Sequence, residues 1–568
     1  MSMGRRSRSW HLPPAGDDPP PEGVRRVEWA VLRSRGARGA EDVRRLLSPA
    51  AGETHDPHLL LDMGAAARRI HRAIADGDRI AVYGDYDADG LTATTLLTSA
   101  LEFMGADVRP FIPSRFEEGY GLQREALGRL RRDGVRLVVS VDCGVRALEE
   151  AAAAAADGLD LIVTDHHEPG DVLPTAAAVI NPKREGDPYP FKELSGAGLA
   201  YKLAQALVGG RLGRWMEGEA LVLVAVGTIA DVAPLTAENR TLVARGLERL
   251  RSSPPAGVAA LVEVAGLKPT RLTARDVGFL IAPRLNAVGR LASPEPALRL
   301  LRSASKGEAR SIAAELDRAN RERQDRTREV IEKARQRLLE LPDLPPLLFD
   351  ADEEYGEGIL GPAAAKLAEE WNRPAVLVSI RGDIGRGSAR SVPGFHITEA
   401  LEACGSLLDR FGGHAAAAGF TVRARMIPEL RARLEAVARE AIPTPDEAAP
   451  LTIDASVTPS DVDYRLLEFL DRLEPMGTGF PSPLFACLGM QVVAARPVGR
   501  DQAHLKLTVR HSGRTVDAIA FRSGEARPVP GEVVDLAFHV ERDSYLGYET
   551  IRWNVQAIRP HQRKPQGD

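Results

Sequence analysis

The 568-residue sequence is short of cysteine and has no long apolar run, and each shortage excludes a class of protein. Its three cysteines, Cys143, Cys404 and Cys487, lie far apart and form no CxxC pair, so we expect neither a disulfide framework nor a thiolate zinc site. The longest apolar run, from Ala220 to Ala230, is shorter than the ~20 residues that span a membrane, and the N-terminal residues lack the apolar stretch of a signal peptide. We therefore expect a cytoplasmic protein with no membrane partner.

An excess of positive charge is also missing. The 74 basic and 79 acidic residues give a net charge of -5, which excludes the strongly basic character of many DNA-coating proteins. Any contact with nucleic acid must therefore be local. A near-neutral total remains compatible with a basic groove beside an acidic metal site, because bound metal offsets the carboxylates.

The pattern of apolar residues predicts a multi-domain α/β protein. From Arg79, short apolar runs alternate with helical patterns, as in RIAVYGDYDADG, VRLVVSVDCG and LDLIVTDHH. This βαβ rhythm predicts a parallel sheet with helices on its faces, and ligands of such sheets bind outside the carboxyl ends of the strands. A charged segment without proline before Pro342 predicts one long helix between two lobes, and the last runs, such as HLKLTVR and EVVDLAFHV, predict a small β-barrel.

Acidic and histidine residues follow each of the predicted strands and the apolar helix. In chain order they are Asp85, Asp87, Asp89, Asp142, Asp165, His166, His167 and Asp231. Taken singly, each has a structural explanation as a turn residue or a helix cap. Four separate strand or helix ends that deliver such groups to one edge are hard to explain by capping. Hard divalent cations prefer carboxylate oxygens and tolerate imidazole, so the pattern predicts a metal site suited to phosphoryl transfer.

The same segments resemble a known family. YGDYDADG, VDCG, TDHHEP and GTIADVAPL look like the four ordered motifs of DHH phosphoesterases, and PRLNAVGR, GRGSARSVPGF and FGGHAAAAGF are similar to the remaining signatures of the RecJ exonuclease branch. The resemblance covers nearly the whole chain. It implies an N-terminal extension (1–55), a DHH catalytic domain (56–305), a long connecting helix (306–341), a DHH-associated substrate-binding domain (342–445) and an OB-fold (446–568) that binds single strands.

The resemblance also implies roles for individual residues. The implied metal ligands for one or two ions of Mn²⁺ or Mg²⁺ are Asp85, Asp87, Asp89, Asp142, His166 and Asp231. Asp142 would bridge two ions, and the catalytic set would be Asp142, His166 and His167, with His167 facing the scissile phosphate. Some relatives place a ligating histidine where this chain has Tyr83, so the number of ions stays open.

Substrate contacts are expected from three further motifs. The stretch from Gly385 to Ser391 combines small residues, hydroxyls and guanidinium groups, which hold phosphates well, although a solvated loop is an equally good reading of its composition. By resemblance, the implied substrate-binding residues are Arg284, Asn286, Arg290, Arg386, Ser388, Arg390 and His414. A helix-capping role for Arg284 and a structural role for His414 are the alternatives.

The predicted barrel has few aromatic residues that could stack on bases. The candidates are Phe521, Tyr545, Tyr548 and Trp553, and a place in the core is an equally good explanation for each. Before the barrel, EPMGTGFPSP departs from the family's usual linker at Met476 and Phe480.

The function expected from the resemblance is metal-dependent 5′→3′ hydrolysis of single-stranded DNA to 5′-mononucleotides in repair and recombination. Its implied partners are single-stranded DNA, single-strand-binding protein and a RecQ-type helicase. Two alternatives stay open: a DHH phosphodiesterase of short oligonucleotides or cyclic dinucleotides, and a replication scaffold without catalysis. The scaffold relatives lack the metal carboxylates, and this chain has them all.

Overall fold

The computed structural model consists of three sheet-containing units, with one long helix joining the first unit to the second. It describes residues 9–12, 18–114, 121–209, 211, 213–442, 450–499, 502–521, 523, 528–543 and 549–561. Within these ranges no helix combines the length and apolarity required to cross a membrane. The expected multi-domain α/β class, with a parallel sheet and a terminal barrel, is confirmed.

The N-terminal residues and the first unit supply the sheet that carries the predicted metal site. Their elements are β1 (Trp10–His11), α1 (Arg26–Ser34), α2 (Ala40–Leu47), α3 (Met63–Asp76), β2 (Arg79–Tyr83), α4 (Ala88–Phe103), β3 (Val108–Phe111), α5 (Arg124–Arg132), β4 (Val135–Val141), α6 (Leu148–Ala156), β5 (Asp160–Thr164) and β6 (Ala178–Ile180). The five strands run in the order β3-β2-β4-β5-β6, and every neighbouring pair is parallel. Their carboxyl ends therefore meet at one edge.

A helical layer follows the sheet and packs against it. It consists of α7 (Gly196–Val208), α8 (Gly213–Trp215), α9 (Leu221–Ala230), α10 (Ala237–Ser252), α11 (Ala256–Val264), α12 (Ala274–Asp276), α13 (Ala282–Leu291), α14 (Glu295–Arg302) and α15 (Lys306–Leu339). Helix α9 is apolar on all sides and buried from Leu221 to Thr228, as expected for a helix inside a core. Helix α15 begins where the Ser305 hydroxyl accepts a hydrogen bond from the Glu308 N–H.

The second unit has a mixed sheet. Its elements are β7 (Leu348–Asp352), α16 (Leu360–Trp371), β8 (Ala375–Arg381), β9 (Ile384–Arg390), α17 (Ile397–Glu402), β10 (Leu408–His414), β11 (Ala417–Arg423) and α18 (Ile427–Ala441). The strand order is β10-β11-β9-β8-β7, with only the β7–β8 pair parallel. The stretch 385–391, for which a solvated loop is the alternative reading, is mostly the central strand β9, which pairs with β8 on one side and β11 on the other.

The third unit is a closed barrel. Its elements are β12 (Leu451–Thr452), β13 (Ala455–Ser456), α19 (Tyr464–Arg472), β14 (Phe485–Val498), β15 (His504–His511), β16 (Arg514–Ala520), β17 (Val533–Asp543) and β18 (Thr550–Pro560). The barrel closes where β14 pairs with β17. Its core includes Val31 and Leu32 of α1, and β1 pairs with β12. The N-terminal residues thus complete the terminal unit.

Candidate metal centre and substrate cleft

The carboxyl edge of the parallel sheet brings the predicted metal ligands together. Within the described residues, three groups of side chains have ligand atoms within 4.8 Å of one another. These groups are Asp85, Asp87 and Asp142; Asp89, His166 and Asp231; and Asp142, His166 and His167. All seven residues predicted at this edge as ligands or catalytic groups are therefore neighbours, as the rule for parallel sheets predicts.

Asp142 and His166 form the centre of this arrangement. The Asp142 Oδ1 and His166 Nε2 atoms are 3.0 Å apart, yet both are buried and neither has a hydrogen-bond partner. Burial lowers the pKa of His166 to about 3, so its ring is neutral and has a lone pair to donate. Two buried donor atoms that converge without bonding each other fit a shared divalent cation.

The carboxylates of the centre repel one another. Burial raises the pKa of Asp142 well above its usual value, and Asp89 and Asp87 add to the effect. Burial and the charge of Asp89 raise the pKa of Asp231 to about 8. So many acids in one buried place are costly to ionise without a counter-charge, and a divalent cation supplies one.

Backbone groups hold Asp89 in place. Its two carboxylate oxygens accept hydrogen bonds from the N–H groups of Gly196 and Ala197, at 2.7 and 2.9 Å, in the first turn of α7. Burial and the charge of Asp87 still raise the pKa of Asp89 to about 7. This anchor was not predicted from the sequence, in which the SGAG stretch that begins at Ser195 is a local signal for it.

Close backbone approach positions Asp142. This residue has a φ of 63°, a left-handed conformation that is uncommon outside glycine and is often found at functional sites. A Cβ atom on Gly196 would lie 2.6 Å from the Asp142 Cβ and 2.8 Å from its Oδ1. Only glycine at position 196 therefore leaves room for this carboxylate.

Asp87 caps a helix and also lies among the candidate metal ligands. It is the N-cap of α4, and its side chain accepts hydrogen bonds from the N–H groups of Asp89 and Gly90. The same carboxylate also lies in one of the three ligand groups. Capping fixes its orientation, since one oxygen is occupied by backbone N–H groups.

His167 is oriented by Asp165. The Asp165 Oδ1 atom lies 2.7 Å from His167 Nδ1, and the Asp165 Oδ2 atom accepts a hydrogen bond from the Val145 N–H. Burial opposes protonation of His167, but the hydrogen bond and charge of Asp165 raise its pKa to about 9. The Asn181 side chain also donates to the His167 carbonyl oxygen. His167 is thus a positively charged group held beside the metal ligands.

Tyr83 belongs to the sheet core. Its ring is fully buried, packs 5.0 Å from the ring of Phe111, and donates its hydroxyl hydrogen bond to the Gly121 carbonyl oxygen. Burial raises the pKa of this hydroxyl. Two ligand groups, one with Asp85 and Asp87 and one with Asp89 and Asp231, exist without it.

The predicted phosphate-binding residues lie on one face of β9. Side chains alternate along a strand, so Arg386, Ser388 and Arg390 share a face, while Gly387 packs under Phe420 on the other. A Cβ atom on Gly361, in the first turn of α16, would lie 3.3 Å from the Ser388 hydroxyl and 3.1 Å from an Arg390 guanidinium nitrogen. The positive end of α16 and these two side chains therefore converge, which favours an anion.

His414 of the second unit is influenced by charges of both units. Partial burial lowers its pKa, and the charges of Arg390 in the second unit and His167 in the first lower it further. The His414 Nδ1 atom accepts a hydrogen bond from the Ala416 N–H, so Nε2 is the ring nitrogen that could contact a ligand.

The PRLNAVGR residues make contacts within the protein. Arg284 pairs with Asp317 of α15 at 2.8 Å, and the Asn286 side-chain oxygen accepts a hydrogen bond from the Ala88 N–H at 2.7 Å. Arg290 donates to the Gly358 carbonyl oxygen of the second unit at 3.4 Å. The DNA contacts expected of these residues stay a prediction. The hydrogen bond of Asn286 to Ala88 gives Asn286 a further role, which is to position the segment from Asp87 to Asp89.

The aromatic candidates of the barrel separate into two kinds. Trp553 is buried and stacks on Phe538 with ring centroids 4.0 Å apart, so it is a core residue. Phe521 is exposed beside His504. Tyr545 and Tyr548 lie outside the described residues. Phe480, one of the two linker departures, lies under the Arg240 guanidinium at 3.7 Å from the ring centroid.

A parallel sheet with a carboxylate and histidine edge, joined by a long helix to a second α/β unit, is the arrangement expected of a DHH-type protein. The model for the DHH family, N-terminal domain, matches residues 79–228, that for the DHHA1 domain matches 345–440, and that for the RecJ OB domain matches 453–557.

The chain belongs to the RecJ family. It is 33% identical over 560 residues to the single-stranded-DNA-specific exonuclease RecJ of Salmonella typhimurium, covering 93% of this chain and 95% of that protein. It is 38% identical to the Bacillus subtilis protein of the same name over 89% of this chain, but spans only 64% of that relative's length. The crystal structure of RecJ in complex with Mn2+ from Thermus thermophilus matches 95% of this chain and 76% of that one, at 33% identity and a TM-score of 0.81.

Proposed function

We propose that this protein is a divalent-metal-dependent exonuclease that degrades single-stranded DNA from the 5′ end to 5′-mononucleotides, in DNA repair and recombination. The observation that carries the proposal is the convergence of Asp142 and His166, two buried donor atoms without hydrogen-bond partners, between two further sets of acids. The named activity of the Salmonella and Bacillus relatives supports the choice of substrate.

The proposed ligands fit two ions of Mn²⁺ or Mg²⁺. Asp85 and Asp87 would hold one, Asp89, His166 and Asp231 the other, and Asp142 would bridge them. Such a pair of ions, when bound, lowers the pKa of water and stabilises the charge of an in-line phosphoryl displacement. Solved RecJ structures carry Mn2+ and Mg2+.

The remaining residues would bind and orient the strand. His167, held by Asp165, donates a charged hydrogen bond to a non-bridging oxygen of the scissile phosphate. Ser388 and Arg390 of β9, which lie beside the start of α16, hold the neighbouring phosphate together with Arg386 and His414. Arg284 and Arg290 complete the proposed path, Asn286 holds the metal-binding segment, and the barrel binds the strand further along.

Two expectations concern the cellular setting. We propose that the exonuclease acts together with single-strand-binding protein and a RecQ-type helicase, because its substrate has to be unwound and is coated in cells. We also propose a cytoplasmic location. The three cysteines are all buried and free, which fits a compartment that keeps thiols reduced.

The test is product analysis with end-labelled DNA. Single strands and duplexes labelled at the 5′ or 3′ end are incubated with the protein and Mn²⁺, and products are separated by size. We expect the 5′ label to appear at once as mononucleotide from single strands only, and the 3′ label to appear last. Cleavage of dinucleotides or cyclic dinucleotides alone would replace this proposal by the small-substrate alternative.

A further inference from the structure

One helical run of the first unit touches all three units of the protein. It comprises α12, a π-helical turn (Val277–Ile281) and α13, without interruption from Ala274 to Leu291. Near its start, Arg275 pairs with Glu541 of the barrel at 2.6 Å. Asn286 holds the Ala88 N–H beside the metal ligands, and Arg290 near its end reaches Gly358 of the second unit. We call residues 274–291 the spanning helix.

The π-helical turn of the spanning helix presents apolar side chains to solvent. Phe279 is 74% exposed, and Leu280 beside it is 37% exposed. Single exposed apolar residues are common and need no explanation, but this pair lies on a π-helical turn, a feature that is often associated with functional sites. In sequence, the exposed pair lies between Arg275, which contacts the barrel, and Asn286, which contacts the segment that carries Asp87 and Asp89.

A third exposed apolar residue lies on a segment that packs against this turn, and its backbone is strained. Val232 directly follows the metal-ligand candidate Asp231, is 65% exposed, and has a φ of 61°, a conformation that β-branched residues rarely adopt. The two segments are packed together, since a Cβ atom on Gly278 would lie 3.3 Å from Ile229. Strain that persists at an exposed site beside a candidate metal ligand indicates a functional constraint.

We propose that Phe279, with Leu280 beside it and the strained Val232 on the neighbouring segment, is a stacking platform for an unpaired base of the substrate strand between the barrel and the metal centre. The inference rests on the proposed function. Exposed aromatic rings bind single strands because every base has a π-face, and in a duplex these faces are already covered by neighbouring bases. Along the spanning helix, Phe279 lies between Arg275, which contacts the barrel, and Asn286, which contacts the segment of the candidate metal ligands. The guanidinium groups of Arg275 and Arg290 on the same helix suit a phosphate backbone. It makes Phe279 a determinant of single-strand specificity.

The test combines a protein change with a DNA change. Single strands carry a 5′-labelled phosphate and one abasic residue at each of the first eight or so positions in turn, and the single-turnover release of the first nucleotide is measured with Mn²⁺. For the wild type we expect release to slow about tenfold when the abasic residue occupies the platform, as for the loss of one base–aromatic stack.

The variants decide the interpretation. On a strand without an abasic residue, Phe279→Ala should slow release about tenfold, and its release rate should no longer depend on the abasic position. Phe279→Trp should restore the rate and the position dependence. Phe103→Ala removes another exposed phenylalanine, at the far end of α4, and should behave like the wild type. An unchanged abasic profile in Phe279→Ala would overturn the platform and leave the exonuclease proposal standing. No release by the wild type from any strand would overturn both.

Discussion

The two sides of the cleft differ in how their functional side chains are held. On the metal side, Asp89 and Asp142 are buried and fixed by backbone groups of α7 and by the lack of a side chain at Gly196. On the second unit, Arg386 is more than half exposed and is held by one ion pair with Glu357. Catalysis requires fixed geometry, whereas a moving strand is better served by adaptable contacts. The comparison leads us to expect large, metal-linked effects on one side and small, salt-dependent effects on the other.

The largest effect is expected from Asp142→Asn. This change keeps the shape of the side chain but removes the carboxylate charge that we propose bridges two ions, so kcat should fall about 1,000-fold. The dissociation constant for single-stranded DNA should change little, because the phosphate-binding residues are untouched. A variant with normal kcat would remove Asp142 from the metal centre.

Gly196→Ala tests whether the metal side is as rigid as the structure indicates. The new Cβ would displace the Asp142 carboxylate, and we expect metal affinity to fall about 10–100-fold in titration calorimetry with Mn²⁺. Gly128→Ala on α5 is the matched control, since a Cβ there meets nothing within 4 Å. Equal Mn²⁺ affinities in the two variants would mean that the carboxyl edge of the sheet can shift to accommodate the new Cβ atom.

Asp165→Asn separates the orientation of His167 from metal binding. Asparagine keeps an oxygen that can accept a hydrogen bond but removes the negative charge that raises the pKa of His167. We expect kcat to fall about tenfold with unchanged Mn²⁺ affinity. Asp171→Asn, an exposed acid in the following loop, should have no effect. Loss of Mn²⁺ binding in Asp165→Asn would instead make Asp165 part of the metal site.

The smallest effect is expected from Arg386→Ala. We predict a rise in KM of about threefold with little change in kcat, and a salt dependence of single-strand binding that is shallower by about 0.7 in log–log slope. Arg423→Ala is the matched control, because Arg423 is equally exposed and also paired with one acid, Asp409. Identical salt slopes in the two variants would show that Arg386 does not contact phosphate.

The sequence was sufficient to predict which side chains meet at the carboxyl edge of the sheet, because one local pattern and one packing rule define them. Apolar strands followed by acids recur along the chain, and the rule that parallel strands share a carboxyl edge converts this order into proximity. The number of ions could not be settled in this way. Tyr83 suggested a lost ligand, but its burial beneath Phe111 and the separate group around Asp85 are properties of the folded chain.

Contacts between distant segments could not be predicted. The anchoring of Asp89 by Gly196, the pairing of Arg284 with Asp317 and the packing of α1 on the barrel join residues far apart in sequence. Nor does a strand such as β9 follow from local propensity, because glycine-rich segments favour loops until neighbouring strands pair with them. Contacts between distant segments also decide that Trp553 is buried in the barrel core and that Phe521 is exposed.

The central claim is that the sheet edge binds divalent metal between two sets of acids, and anomalous diffraction from crystals grown with Mn²⁺ tests it most directly. We predict two anomalous peaks, one between Asp85, Asp87 and Asp142 and one between Asp89, His166 and Asp231. Crystals of Asp142→Asn should lose at least one of them. Peaks elsewhere, with this edge free of metal at saturating Mn²⁺, would contradict the account.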